Sequence, residues 1–128
     1  MSMRATSGIS KAAKCAAAIA AQYTIATFGA DDDTFSVASG SAGALIGVFQ
    51  GATVNAGDSV EVMVTGISNI ACGGAVTRGD YLTSDANGNG ITAAPSAGVN
   101  ADVIGVALES GVSGDIIAVR LAPGRIQG

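Results

Sequence analysis

The sequence has no histidine and no tryptophan, and five aromatic residues of other kinds among its 128 residues. Histidine is the commonest general base and a frequent metal ligand near neutral pH, so its absence removes many catalytic and metal-binding arrangements. The two cysteines, Cys15 and Cys72, have no histidine that would activate a thiolate nucleophile. The residues therefore predict a protein that is not an enzyme, with no catalytic residue, no metal site and no cofactor.

Long hydrophobic runs are also missing. No apolar run approaches the ~20 residues that a membrane-spanning helix needs, so no membrane partner is expected. The alanine-rich run at 15–21 follows basic residues, but it is too short and too weakly hydrophobic for a secretory signal. In a reducing cytoplasm we expect free, buried thiols, and a bond between Cys15 and Cys72 is the alternative.

The apolar residues that are present are mostly small: alanine, valine and isoleucine, with 19 glycines. A chain of this length is expected to form one domain. Small side chains each bury little apolar area, which is worth roughly 25 cal/mol per Å². We infer that such a core gains stability when the protein buries more surface against copies of itself or a partner, which predicts a homo-oligomer.

One unit of strand, Gly-Asp turn and strand occurs within residues 44–66 and again within 103–124. Ile46-Gly47-Val48 in the first unit corresponds to Ile104-Gly105-Val106 in the second. Short strands are predicted near 23–28, 34–38, 44–50, 59–65, 67–71, 81–83 and 90–93, with two more within 102–122 and a tail at 123–128. This spacing predicts an all-β fold, a small sandwich or barrel of short antiparallel strands.

Three Gly-Asp pairs are predicted to be turns, at 57–58, 79–80 and 114–115. Glycine accepts a positive φ angle, and an aspartate side chain accepts hydrogen bonds from nearby backbone N–H groups. Arg78-Gly79-Asp80 also spells an integrin-binding tripeptide. Because Gly-Asp recurs twice without the arginine, the turn is the favoured interpretation.

Two acidic segments resemble cation sites. Residues 85–90 match the first half of a calcium loop, but Ser96 stands where that loop requires a bidentate glutamate. We therefore predict a hairpin turn there. The run Asp31–Asp33 is predicted to be a solvated loop rather than an ion site.

Charge divides the chain near residue 14. Arg4, Lys11 and Lys14 precede every acidic residue, and the remainder carries all ten acidic residues against three arginines. We predict an N-terminal arm at residues 1–22, either extended or a short alanine-rich helix, and a β-rich domain at 23–128. The basic arm suits an acidic protein surface, whereas the acidic body argues against nucleic acid as a partner.

Several groups of residues follow one another in a characteristic order. They are Phe28–Asp32, Leu45–Val48, Ala56–Asp58 with Val60–Val64, Arg78–Leu82 with Asp85–Gly88, and Ile104–Leu108 with Gly114–Val119. With the alanine- and glycine-rich composition, this ordered set resembles the capsid decoration (cement) proteins of tailed bacteriophages. The resemblance covers residues 23–122.

The resemblance implies a structural virion protein, assembled in the host cytoplasm and bound in many copies to the outer surface of the phage head. Its partner would be the major capsid protein, which it would brace against internal DNA pressure as a trimer or a dimer. The charge split near residue 14 predicts that Arg4, Lys11 and Lys14 contact acidic surface of the capsid or of a neighbouring subunit. The alternative is a host-recognition or glycan-binding β-module of a phage tail or fibre, but aromatic residues that stack on sugars are scarce.

Overall fold

The computed structural model describes residues 8–53 and 55–128, which form ten strands in two sheets. The first sheet contains β1 (Ser10–Cys15), β2 (Ile25–Phe28), β3 (Thr34–Val37), β4 (Leu45–Phe49) and β5 (Ser59–Met63). The second contains β6 (Gly66–Ala71), β7 (Tyr81–Ser84), β8 (Gly90–Thr92), β9 (Asn100–Ala107) and β10 (Ile116–Gln127). These residues contain no helix, so the predicted all-β class is confirmed.

The first sheet closes into a small barrel with the strand order β1-β3-β2-β4-β5. β1 completes the closure, because it pairs with β5 from Ser10 opposite Met63 to Lys14 opposite Ser59. The other side of β1 pairs with β3 at Lys14 and Cys15. That short contact is parallel, whereas all the other strand pairs of the barrel are antiparallel, as predicted.

Part of the predicted N-terminal arm is therefore a strand of the barrel. Alanine favours helix, but in β1 the alternate side chains of Ala13 and Cys15 are buried inside the barrel. Hydrogen bonding to β5 and this burial outweigh a helix propensity that is weak over so few residues. The helical alternative for residues 11–22 is wrong, and the extended alternative describes β1. The predicted boundary at residue 22 stays a prediction, and residues 1–7 lie outside the described part of the chain.

The second sheet is antiparallel, with the strand order β6-β10-β9-β7-β8. The predicted tail at 123–128 is wrong, because β10 continues to Gln127. A bulge between Leu121 and Gly124 carries the strand past Pro123, which has no N–H to donate to the ladder. Pairing with β9 then resumes at Gly124, opposite Val103.

The fold has two apolar cores, one that fills the barrel and one that joins the barrel to the second sheet. β2 and β4 contribute to both. Ala26 and Phe49 point into the barrel, whereas their neighbours Ile25 and Val48 pack toward the second sheet. A strand buried on both faces needs a continuous apolar run, which explains the sequence of β4.

The three Gly-Asp pairs form one and the same turn. Gly57, Gly79 and Gly114 have φ angles of 88°, 95° and 92°. In each turn the aspartate Oδ2 accepts a 2.9 Å hydrogen bond from the backbone N–H three residues earlier, at Asn55, Thr77 and Val112. The predicted turn chemistry is confirmed, including the turn that contains Arg78.

Candidate functional site

The predicted contact residues Lys11 and Lys14 are both exposed on β1. Lys11 Nζ lies 3.9 Å from Asp33 Oδ1, and both side chains of this ion pair are more than half exposed. Exposed pairs of this kind stabilise a fold little, so the pair is easily exchanged for a better acidic partner. The structure therefore places two of the three predicted contact residues on one strand. The third, Arg4, lies outside the described residues.

An open groove of about 270 Å³ lies beside these lysines. Its lining residues are Lys11, Ala12, Ala13, Lys14, Asp33 and Ser59. Two ammonium groups and one carboxylate border the groove, and its other side chains are small. The groove therefore carries more positive than negative charge, which is the complement of an acidic group.

The acidic segments have local structural roles. Asp85 Oδ1 accepts hydrogen bonds from the backbone N–H groups of Asn87 at 2.8 Å and Asn89 at 2.9 Å, which closes the β7–β8 hairpin. The hairpin predicted at residues 85–90 is therefore confirmed. Asp31–Asp33 is an exposed loop, also as predicted. In the described residues, no group of three or more histidine, cysteine, aspartate or glutamate side chains is arranged to hold a metal ion.

Both cysteines are free and buried, as expected. Burial raises the pKa of the Cys72 thiol, and the negative charges of Asp115 and Glu109 raise it further. Cys15 Sγ lies 3.2 Å from Thr53 Oγ1 and sits inside the barrel. A buried thiol with a raised pKa stays protonated, so the environment of Cys72 does not activate a nucleophile.

A second surface lies on the solvent side of the second sheet. Cross-strand pairing places Ile67, Arg120, Val106 and Tyr81 in one row across β6, β10, β9 and β7. Arg120 and Tyr81 are exposed, and Ile67 and Val106 are half-buried. We call this set the outer row. The outer row is hard to recognise in the sequence. Arg120 is a single charged residue between the buried residues Val119 and Leu121, and the other three members lie on distant strands.

Comparison with known proteins shows which family this chain belongs to and which solved structure has a similar fold. A family model described as phage cement protein matches residues 13–121, from β1 to β10. The chain belongs to the phage cement protein family. Its fold is also similar to the crystal structure of the head fiber gp8.5 N base in bacteriophage phi29. The TM-score is 0.63 at 19% sequence identity, over 94% of this chain and 98% of that chain. A likeness at this identity shows a shared fold, and no curated protein matches the sequence.

Family membership makes this cement protein a structural component of a phage virion that associates with the capsid. The family indicated by the sequence is thus confirmed. The matched region includes all four residues of the outer row. It also includes Ala13, Lys14, Asp33 and Ser59 of the groove, whereas Lys11 and Ala12 precede it. No helix in the described residues is long and apolar enough to cross a membrane.

Proposed function

We propose that this cement protein binds the outer surface of the phage head and stabilises the shell, without catalysing a reaction. The observation that carries the proposal is the family match, which extends over both sheets of the fold. The protein would be assembled onto the head in the host cytoplasm. The proposed partner is the major capsid protein, and neither nucleic acid nor a membrane is required.

The proposed capsid contact is the groove beside β1. Lys11 and Lys14 supply positive charge on a protein whose net charge is −4, so they are suited to an acidic patch that the rest of the body would repel. Arg4 would add a third positive charge. Because β1 is hydrogen-bonded into a closed barrel, the backbone that carries the two described lysines is already ordered before binding, and only their side chains lose conformational freedom.

Stabilisation of the shell would come from many modest contacts. A specific interface needs on the order of 1,000 Å² of buried surface. An oligomer that grips two or more capsomers gains further affinity, because the second contact forms at a high effective concentration. We therefore propose a homo-oligomer that bridges capsomers, with a trimer favoured over a dimer.

Co-sedimentation with heads that lack this protein tests the proposal. We expect saturable binding at a fixed ratio to the major capsid protein, and heads that withstand higher temperature or osmotic shock once the protein is bound. Stoichiometry at saturation distinguishes trimer sites from dimer sites. If the protein does not bind expanded heads, the proposal fails, and a glycan-array signal in that case would support the host-recognition alternative.

A further inference from the structure

The outer row is a sheet face that combines apolar surface with one exposed positive charge. Arg120 pairs across the sheet with Ile67 on one side and Val106 on the other, and Tyr81 follows Val106. Four adjacent strands contribute, so the row extends over roughly 14 Å at the usual interstrand spacing. Arginine and tyrosine are among the residue types enriched at the centres of protein interfaces.

Arg120 has no carboxylate partner among the described residues, whose ion pairs are Lys11 with Asp33 and Arg125 with Asp102. Glu109 approaches β10 nearby, but its Oε1 accepts a hydrogen bond from the backbone N–H of Ala118 at 2.8 Å. In a protein with an excess of acidic residues, a positive side chain left without an ion pair in an apolar setting is suited to an acidic partner.

The same chain carries a matching surface at the loop between β2 and β3. Asp31 and Asp32 are exposed, and their carboxylates have no hydrogen bond or ion pair with the described residues. Beside them Phe28 is 62% exposed and meets Phe35 edge-on, with 5.8 Å between ring centroids. We call Phe28, Asp31 and Asp32 the acidic tip. It pairs negative charge with an aromatic face, as the outer row pairs positive charge with aliphatic and aromatic side chains.

We propose that the outer row of one copy binds the acidic tip of a second copy of this chain. The Arg120 guanidinium would lie between the Asp31 and Asp32 carboxylates, and the Phe28 ring would cover Val106 and Tyr81. Because this contact joins two different surfaces, its repetition builds a closed ring of subunits when the rotation between copies closes, as the proposed trimer requires. The inference rests on the homo-oligomer proposed above and names the surfaces that hold it together.

Charge reversal with rescue tests the contact, measured by sedimentation velocity of the free protein at micromolar concentrations. Arg120→Glu and, separately, the double variant Asp31→Lys with Asp32→Lys are each expected to weaken association at least about tenfold, the size expected for loss of a close interfacial charge pair. Combining all three substitutions restores opposite charges across the contact, and association should recover. High salt should weaken association of the wild-type protein.

Arg78→Glu is the matched control, because Arg78 is also exposed and forms no ion pair with the described residues. It makes the same change in net charge and should leave association unchanged. The inference is overturned if Arg120→Glu behaves like Arg78→Glu, if the triple variant shows no recovery, or if the wild-type protein is monomeric throughout.

Capsid co-sedimentation of the same variants separates this inference from the proposed function. Should Arg120→Glu leave association intact but abolish binding to heads, the outer row faces the capsid rather than a second copy. Loss of association with retained, weaker binding to heads is the expected result. Each variant is checked by thermal unfolding, and because the substituted side chains are exposed, the folds should be retained.

Discussion

Arg125 and Asp102 face each other across β10 and β9, and Arg125 Nε donates a 2.8 Å hydrogen bond to Asp102 Oδ1. The Asp102 side chain is 9% exposed, whereas that of Arg125 is 63% exposed. The pair lies after the bulge, where β10 has passed Pro123 and would otherwise be held by backbone bonds to β9 alone. The hydrogen bond raises the pKa of Arg125, as does the negative charge of Asp102.

Replacement of Arg125 should loosen this end of the second sheet. Arg125→Ala leaves a mostly buried carboxylate without its charged partner, so we expect a lower Tm and faster hydrogen exchange in 123–127. The pKa of Arg125 is raised, so the folded state holds the guanidinium proton more tightly than the unfolded state does. The stabilisation is therefore fully present below the ordinary arginine pKa, and it is lost only as pH rises through the folded-state pKa. The Tm deficit should thus be constant across neutral pH. Arg78→Ala removes an exposed arginine that has no ion pair among the described residues, and it should show no deficit.

Replacing the glycine of a Gly-Asp turn should lower the stability of the fold through backbone conformation alone. Gly114 has a φ of 92°, and a Cβ at this position would meet no atom within 4 Å. Gly114→Ala should therefore lower the free energy of unfolding by about 1 to 2 kcal/mol, the cost of a left-handed conformation for an L-residue. Gly40→Ala is the control, since it is equally uncrowded and its φ is not positive. Equal urea midpoints for the two variants would contradict this account.

The turns were predictable because their chemistry is local. A glycine with positive φ and an aspartate that bonds three residues back require nothing from the rest of the chain. The correspondence of Gly47 with Gly105 also has a physical basis. A Cβ at Gly47 would collide with the Met63 carbonyl oxygen of a neighbouring strand, and one at Gly105 with the Arg120 carbonyl oxygen. The repeated Ile-Gly-Val therefore marks a close approach of two strands in each sheet.

The structural features that could not be predicted from the sequence are those that depend on pairing between distant segments. β1 is an alanine-rich stretch whose strand state is imposed by β5 and β3, and the path of β10 past Pro123 depends on β9. For the sites, the charge split pointed to Lys11 and Lys14 because charge can be counted along a chain. The outer row could not be found that way, since its members come from four separate strands.

The buried thiol of Cys72 should make the folded protein less stable at high pH. Its pKa is raised above the ordinary 9.0, so the folded state holds the thiol proton more tightly than the unfolded state. This contribution is fully present below pH 9.0 and is lost as pH rises through the folded pKa. The wild-type protein should lose more stability than Cys72→Ala over that alkaline range, as measured by urea denaturation. Glu109→Gln, which removes one of the charges that raise the pKa, should give a slightly smaller loss than wild type, and parallel curves for all three proteins would rule the linkage out.

Charge reversal on β1 tests the capsid contact without damaging the barrel. Deletion of residues 1–21 would remove β1 and open the barrel, so it cannot separate binding from folding. Lys11→Glu with Lys14→Glu changes two exposed side chains and disturbs a single exposed ion pair. We expect affinity for heads to fall at least about tenfold, with a weaker dependence on salt, because attraction to an acidic surface becomes repulsion. The corresponding lysine-to-arginine variant keeps both charges and should bind heads as the wild type does. Undiminished binding by the glutamate variant would move the capsid contact away from β1, since two reversed charges inside a real contact with an acidic surface cannot be neutral.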